Sequence, residues 1–180
     1  CGFPIAPKDD SPKSHSAAST PHPQIRVCAA PTQAGPIGSH APHAPAKLSQ
    51  SPVPRKMAEK AISHFGKIDI LINNAGISMR ALFQDLDIEV FKKVMDINFW
   101  GAVYATKYCL DSITQQKGSI IGISSINGYR GTPARTAYTA SKFAMNGFFE
   151  SLRTELLKKD VHVLVACPGF TSSNIRSNAL

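Results

Sequence analysis

The chain has 180 residues, long enough for one compact domain, and no apolar run near the roughly 18 residues of a membrane-spanning helix, so no membrane span is expected. Its net charge of +8 is spread thinly: five basic and two acidic residues fall in 1–55, fifteen and ten in 56–180. Without a block of like charges, and with Lys92-Lys93 and Lys158-Lys159 reading as solvated helix faces, nucleic acid is not an expected partner.

Taken from the start, residues 1–55 hold 11 of the 13 prolines and a single aromatic residue, Phe3. So few large apolar groups cannot offset the entropy of ordering a backbone, and the segment is predicted to be disordered or extended. His15, His22, His40 and His43 lack compact ligand spacing, and no metal is expected. From Arg55 the pattern changes. "RKMAEKAISHFG" predicts a helix with Met57, Ala58, Ala61, Ile62 and Phe65 on one side and Gly66 at its end. "IDILI" (68–72) then predicts a buried strand that ends abruptly in the turn "NNAG" (73–76).

A long helix is predicted from about Asp87 to Thr114. It places Asn98 on the same side as Phe91, Val94, Met95 and Ala102, where an amide needs a partner. "SIIGIS" (119–124) and "VHVLVAC" (161–167) predict two more buried strands. Between them a helix from about Thr136 to Lys159 carries a stripe of Tyr138, Lys142, Met145, Phe149, Leu152 and Leu156. Strands alternating with helices predict an α/β fold with a Rossmann-like parallel sheet and flanking helices. Ligands in such sheets gather at the carboxyl ends of the strands, where "NNAG", the serine pair 124–125 and "CPG" (167–169) all fall.

Tyr138 and Lys142 stand one helical turn apart and project from one face. A nearby ammonium favours phenolate, so the pair could exchange a proton with a substrate oxygen that Ser125 holds by a hydrogen bond, while Asn98 holds a water passing the proton onward. Each piece also has a plain reading: Y-x-x-x-K as an amphipathic coincidence, the serine pair as a turn or cap, Asn98 as a satisfied core amide, Gly76 and Gly169 as turn glycines.

Together, "NNAG" at 73–76, Asn98 in "MDINFWG", "ISS" at 123–125, "YTASK" at 138–142 and "CPG" at 167–169 resemble the short-chain dehydrogenase/reductase family over 56–176, including the thirteen residues from Ser125 to Tyr138. "CPGFTSSNIRSNAL" and "NNAGISMRALF" are similar to the branch that includes hydroxysteroid dehydrogenases. The resemblance implies NAD or NADP as cofactor and hydride transfer to or from a small carbonyl/alcohol substrate. It implies Tyr138 as acid/base, Lys142 as the group that lowers its pKa and binds the nicotinamide ribose, Ser125 as the substrate-orienting hydroxyl and Asn98 as a relay. It also implies Asn74 and Gly76 on the adenosine side of the cofactor, with Pro168, Gly169 and Thr171 beside the nicotinamide. Homo-oligomers formed through helices near 88–114 and 136–158 follow from the same resemblance.

The family's glycine-rich T-G-x-x-x-G-x-G turn has no counterpart before residue 56, since "GPIG" (35–38) lies among prolines and histidines with no strand before it and no helix after it. The chain therefore divides into a low-complexity segment, 1–55, and a partial domain, 56–180. A translation in a shifted frame is the preferred reading of 1–55, against a native disordered tail or a histidine-bearing metal tail. The alternative function is then a catalytically inactive fragment, at most an association module. Cys1, Cys28, Cys109 and Cys167 contain no C-x-x-C pair, and a reduced cytoplasmic setting is expected.

Overall fold

The computed structural model describes residues 52–169, Ile175 and residues 179–180. The expected disordered segment falls outside these except at 52–55, as do the four N-terminal histidines and Thr171.

Helix α1 spans Pro52–Phe65 and so starts ahead of Arg55, where the sequence suggested it would. Prolines are tolerated in a first helical turn, where backbone N–H groups have no intrahelical acceptor and a fixed φ suits the helix. The helix stops at Gly66, whose φ of +76° suits glycine and whose N–H donates to the Ile62 carbonyl over 2.7 Å. The predicted apolar side is only partly covered. Ala58 is buried and Met57 and Ala61 pack on the core, but Ile62 and Phe65 are exposed in a last turn that overruns it.

Strands β1 (Ile70–Asn73), β2 (Ser119–Ile123) and β3 (His162–Ala166) form one parallel sheet in the order β1-β2-β3. Leu71 lies opposite Ile120, and Ile120 opposite Val163. β1 begins later than the apolar run 68–72 and ends one residue beyond it. Ile68 is buried all the same, with its N–H given to Ser112 Oγ at 2.8 Å instead of to the ladder. β2 and β3 are likewise shorter than read, and Ser124 closes the last rung through its N–H to the Ala166 carbonyl (2.7 Å).

The run predicted as one helix over 87–114 is interrupted. Asp87 caps α2 (Ile88–Met95) by accepting the Glu89 N–H at 2.9 Å, a π-helical turn follows at Asp96–Trp100, and α3 (Gly101–Gln115) completes the segment. Helix α4, Thr136–Leu156, is continuous and ends in a short turn closed by Asp160 at φ +54°. Its stripe Lys142, Met145, Phe149, Leu152 and Leu156 is buried as expected, while Tyr138 is half-buried.

The core lies between these helices and one face of the sheet, where Leu71, Ile120 and Val163 meet Cys109, Ile113, Met145 and Phe149. The strands were expected to be buried on both faces. Instead burial alternates: Ile70, Ile72 and Ile121 on the other face are half-buried, and Leu164 there is 54% exposed. No helix among the described residues is long and apolar enough to cross a membrane.

Gly122 lets the Phe149 ring lie flush on β2. A Cβ there would stand 2.4 Å from Phe149 Cε2 and 2.6 Å from Cδ2, so Gly122→Ala must displace a fully buried ring. It is expected to cost about 1–3 kcal/mol, read as a lower midpoint in urea unfolding with an unchanged slope.

Candidate active site

The carboxyl ends of the three strands release three turns on one rim: Asn74-Ala75-Gly76 after β1, Ser124-Ser125 after β2 and Cys167-Pro168-Gly169 after β3. The first half of α4 crosses this rim. Lys142 is at its centre, 3% exposed, with Nζ donating to the Ile123 carbonyl at 2.8 Å and lying 3.6 Å from Met145 Sδ. Burial opposes the charged form and brings the Lys142 pKa down from 10.5 to about 8, while Cys167 pulls it the other way. The Tyr138 ring centroid is 5.8 Å from this nitrogen, so the four-residue spacing does put phenol and amine on one face.

Asn98 is fully buried on the π-helical turn, and its amide is well used. Oδ1 accepts the Ile77 N–H (2.8 Å), while Nδ2 donates to the Ile77 carbonyl (2.9 Å) and to Ser141 Oγ (3.0 Å). The Ser141 hydroxyl in turn donates to the Tyr138 carbonyl at 2.7 Å. Asn98 thus ties the turn after β1 to the helix that carries Tyr138 and Lys142. With both amide hydrogens committed to protein acceptors, the side chain keeps only a second lone pair on Oδ1 for a water. Gly76 completes the cluster, since a Cβ at that position would lie 3.4 Å from Asn98 Oδ1 and 3.8 Å from Lys142 Nζ.

Ser125 follows β2 in extended conformation, and its Oγ accepts the Asn127 N–H at 3.2 Å. The hydroxyl hydrogen is left to donate toward a ligand. The turn Ile126–Gly128 rests on α4, so Ser125 and Tyr138 share one side of the domain. Asn74 is exposed and borders a shallow cleft with Val53, Met57 and Ala102, between α1 and α3. Pro168 and Gly169 are exposed on the third turn.

The structure therefore gathers Gly76, Asn98, Tyr138 and Lys142 tightly, sets Ser125 beside them, and leaves Asn74, Pro168 and Gly169 as outer rim. Several partners were missed by sequence reasoning: Ser141, Asn127, and the pair in which Arg135 Nη1 donates to Ser78 Oγ. Ser141 had a signal, as a hydroxyl on the buried side of the YTASK turn. Ser78 and Arg135 lie 57 residues apart and had none.

Because the folded Lys142 pKa lies below its unfolded value, its buried charge costs stability below about pH 8. That cost is relieved as pH rises from about 8 to 10.5, where the unfolded chain still binds the proton that the folded chain has released. Wild-type chain should gain on the order of 3 kcal/mol across this window relative to Lys142→Met. Urea unfolding of both proteins at several pH values measures the difference.

The family model described as short chain dehydrogenase matches residues 20–180, reaching back before Arg55. Dehydrogenase/reductase SDR family member 7B of Rattus norvegicus is 45% identical over 124 residues, 68% of this chain and 38% of that protein. 11-beta-hydroxysteroid dehydrogenase-like 2 of Arabidopsis thaliana is 40% identical over 122 residues, 67% of this chain and 39% of that protein. The chain thus spans about two-fifths of the length of the curated relatives it matches. Among solved structures, an alcohol dehydrogenase from the archaeon Thermococcus sibiricus, complexed with 5-hydroxy-NADP, superposes with a TM-score of 0.68 at 22% identity. The superposition covers 74% of this chain and 56% of that one, a likeness of fold.

Proposed function

The chain belongs to the short chain dehydrogenase family, and on that premise we propose that it is an NAD(P)-dependent oxidoreductase acting on a small carbonyl/alcohol substrate, with Tyr138 as its acid/base. The observation that carries this reading is the buried Lys142 amine, 5.8 Å from the Tyr138 ring at the rim where three strands end. The phenol would give its proton to a carbonyl oxygen, and the phenolate so formed would take one from an alcohol in the reverse direction. Ser125, with its Oγ lone pair occupied by the Asn127 N–H, donates its hydrogen to the same oxygen. Asn98 holds the assembly and offers its Oδ1 lone pair to a relay water.

The described residues fit the ribose end of a dinucleotide. Lys142 has three donors, of which the Ile123 carbonyl and the Met145 sulfur engage two, leaving one for a ribose hydroxyl. Gly76 keeps the floor beside it free of a side chain. Asn74 would border the adenosine side, and Pro168 and Gly169 the nicotinamide side. The cofactor supplies the hydride chemistry, and the chain supplies orientation and the proton. One relative's name points to hydroxysteroids. Ile126, exposed in the turn that follows Ser125, offers an apolar contact suited to such a substrate. Trp100, exposed at the end of the π-helical turn and stacked on Tyr104 of α3, is an aromatic group through which copies would pair.

A second reading, an association module without turnover, is favoured by the half-exposed sheet face of Ile70, Ile72, Ile121 and Leu164. Titration with reduced cofactor separates the two. A saturable dissociation constant in the micromolar range with a raised melting temperature supports the oxidoreductase, and no binding supports the module.

Tyr138→Phe keeps the ring and removes the proton carrier. It should lower turnover by a factor of 10² or more while leaving cofactor affinity nearly unchanged. Lys142→Ala should weaken both, since its proposed role joins ribose and phenol. Steady-state rates and a cofactor titration on the two variants check this.

A further inference from the structure

Ser125 and Tyr138 must face one substrate oxygen, yet they sit on separate elements, a turn after β2 and the first turn of α4. Asn127 touches both. Its backbone N–H donates to Ser125 Oγ at 3.2 Å, and its side-chain Nδ2 donates to Thr139 Oγ1 at 3.2 Å and to Thr132 Oγ1 at 2.7 Å. Thr139 is the residue after Tyr138, and its own N–H is fixed to the Arg135 carbonyl at 2.8 Å. One hydrogen of this amide therefore joins the serine turn to the helix and the other joins it to the loop that leads into the helix, while the same residue's backbone sets the rotamer of the serine hydroxyl. A second clasp from α4, Asn146 Nδ2 to the Gly128 carbonyl at 2.9 Å, holds the far side of the turn but does not touch Ser125.

Resting on the oxidoreductase reading above, we infer that Asn127 is a positioning residue that sets the distance and direction between the Ser125 hydroxyl and the Tyr138 phenol. The backbone bond fills an acceptor position on Ser125 Oγ, which turns the hydroxyl hydrogen outward as a donor. The side-chain bonds fix how far the turn that carries this donor stands from the phenol. Misplacing reacting groups by about 1 Å can cost as much as a hundredfold in rate, so a clamp of this kind acts on turnover. Cofactor affinity rests on Lys142 and Gly76, which the clamp does not touch.

The test uses the full chain and four variants: Asn127→Ala, Thr139→Val, which keeps shape and loses the hydroxyl, the double variant of these two, and Thr139→Ser, which keeps the hydroxyl. Hydrogen exchange over 124–131 needs no turnover. It should quicken about tenfold in Asn127→Ala and Thr139→Val and stay at the wild-type rate in Thr139→Ser. In steady-state assays the first two should lose about tenfold in kcat with KM for the cofactor unchanged, the double variant should be no worse than Asn127→Ala, and Thr139→Ser should restore the rate. Unchanged exchange in Thr139→Val overturns the clamp. So does quicker exchange with undiminished kcat, or a double variant whose losses multiply. A wild-type chain without turnover, or a Tyr138→Phe variant with full turnover, sinks the oxidoreductase reading instead, and the exchange data still decide whether the clamp exists.

Discussion

The rim depends on holding a lysine nitrogen where burial opposes its charge. Lys142 is drawn inward by the carbonyl of Ile123, the last residue of β2, whose partner in the ladder is Ala166. The Ile123 carbonyl is taken by a side chain, since α4 crosses at the height where a lysine reaches it. The low pKa is the thermodynamic trace of this arrangement, since the fold tolerates a group that water would solvate better. Moving β2 by one residue would remove both the acceptor and the turn that carries Ser125. The sheet register and the chemistry of the rim are thus one constraint.

Asn98 shows how the remaining parts are fixed to that lysine. Its three hydrogen bonds join the turn after β1 to α4, and they need the amide to point into the core rather than along the helix surface. The π-helical turn at Asp96–Trp100 provides this, since one extra residue per turn changes which side chains face inward. A plain α-helix would spread the same residues differently around α2 and α3. The irregularity therefore sits where the polar work is done.

Much of this was legible in the chain and some was not, for physical reasons. The spacing of Tyr138 and Lys142, the stripe through Phe149 and Leu156, and the three apolar runs with special turns all reflect local periodicity, which a sequence states directly. Strand ends were less legible, because a residue such as Ile68 can be buried by packing while its backbone bonds to a side chain instead of the ladder. The π-helical turn has no compositional mark, so 87–114 read as one helix. One-sided burial of the sheet was also invisible, since Ile70, Ile72 and Ile121 look the same whether or not a layer covers them. Clasps such as Arg135 to Ser78 depend on tertiary proximity alone.

Burial brings the Lys142 pKa down to about 8, close to neutral pH. A negative charge developing on an oxygen at this rim would strengthen the amine's hold on that proton, and the ammonium would in turn favour that negative charge. The two ionisations are coupled, so protons would leave in steps that belong to the group as a whole and not to one residue. Cys167, on the third turn, raises the Lys142 pKa against the larger lowering by burial. The Lys142 charge is thus set by burial at the end of β2 and, in the opposite direction, by Cys167 after β3. The polar clasps of Asn98 and Asn127 matter because they keep the turns after β1 and β2 from drifting away from α4.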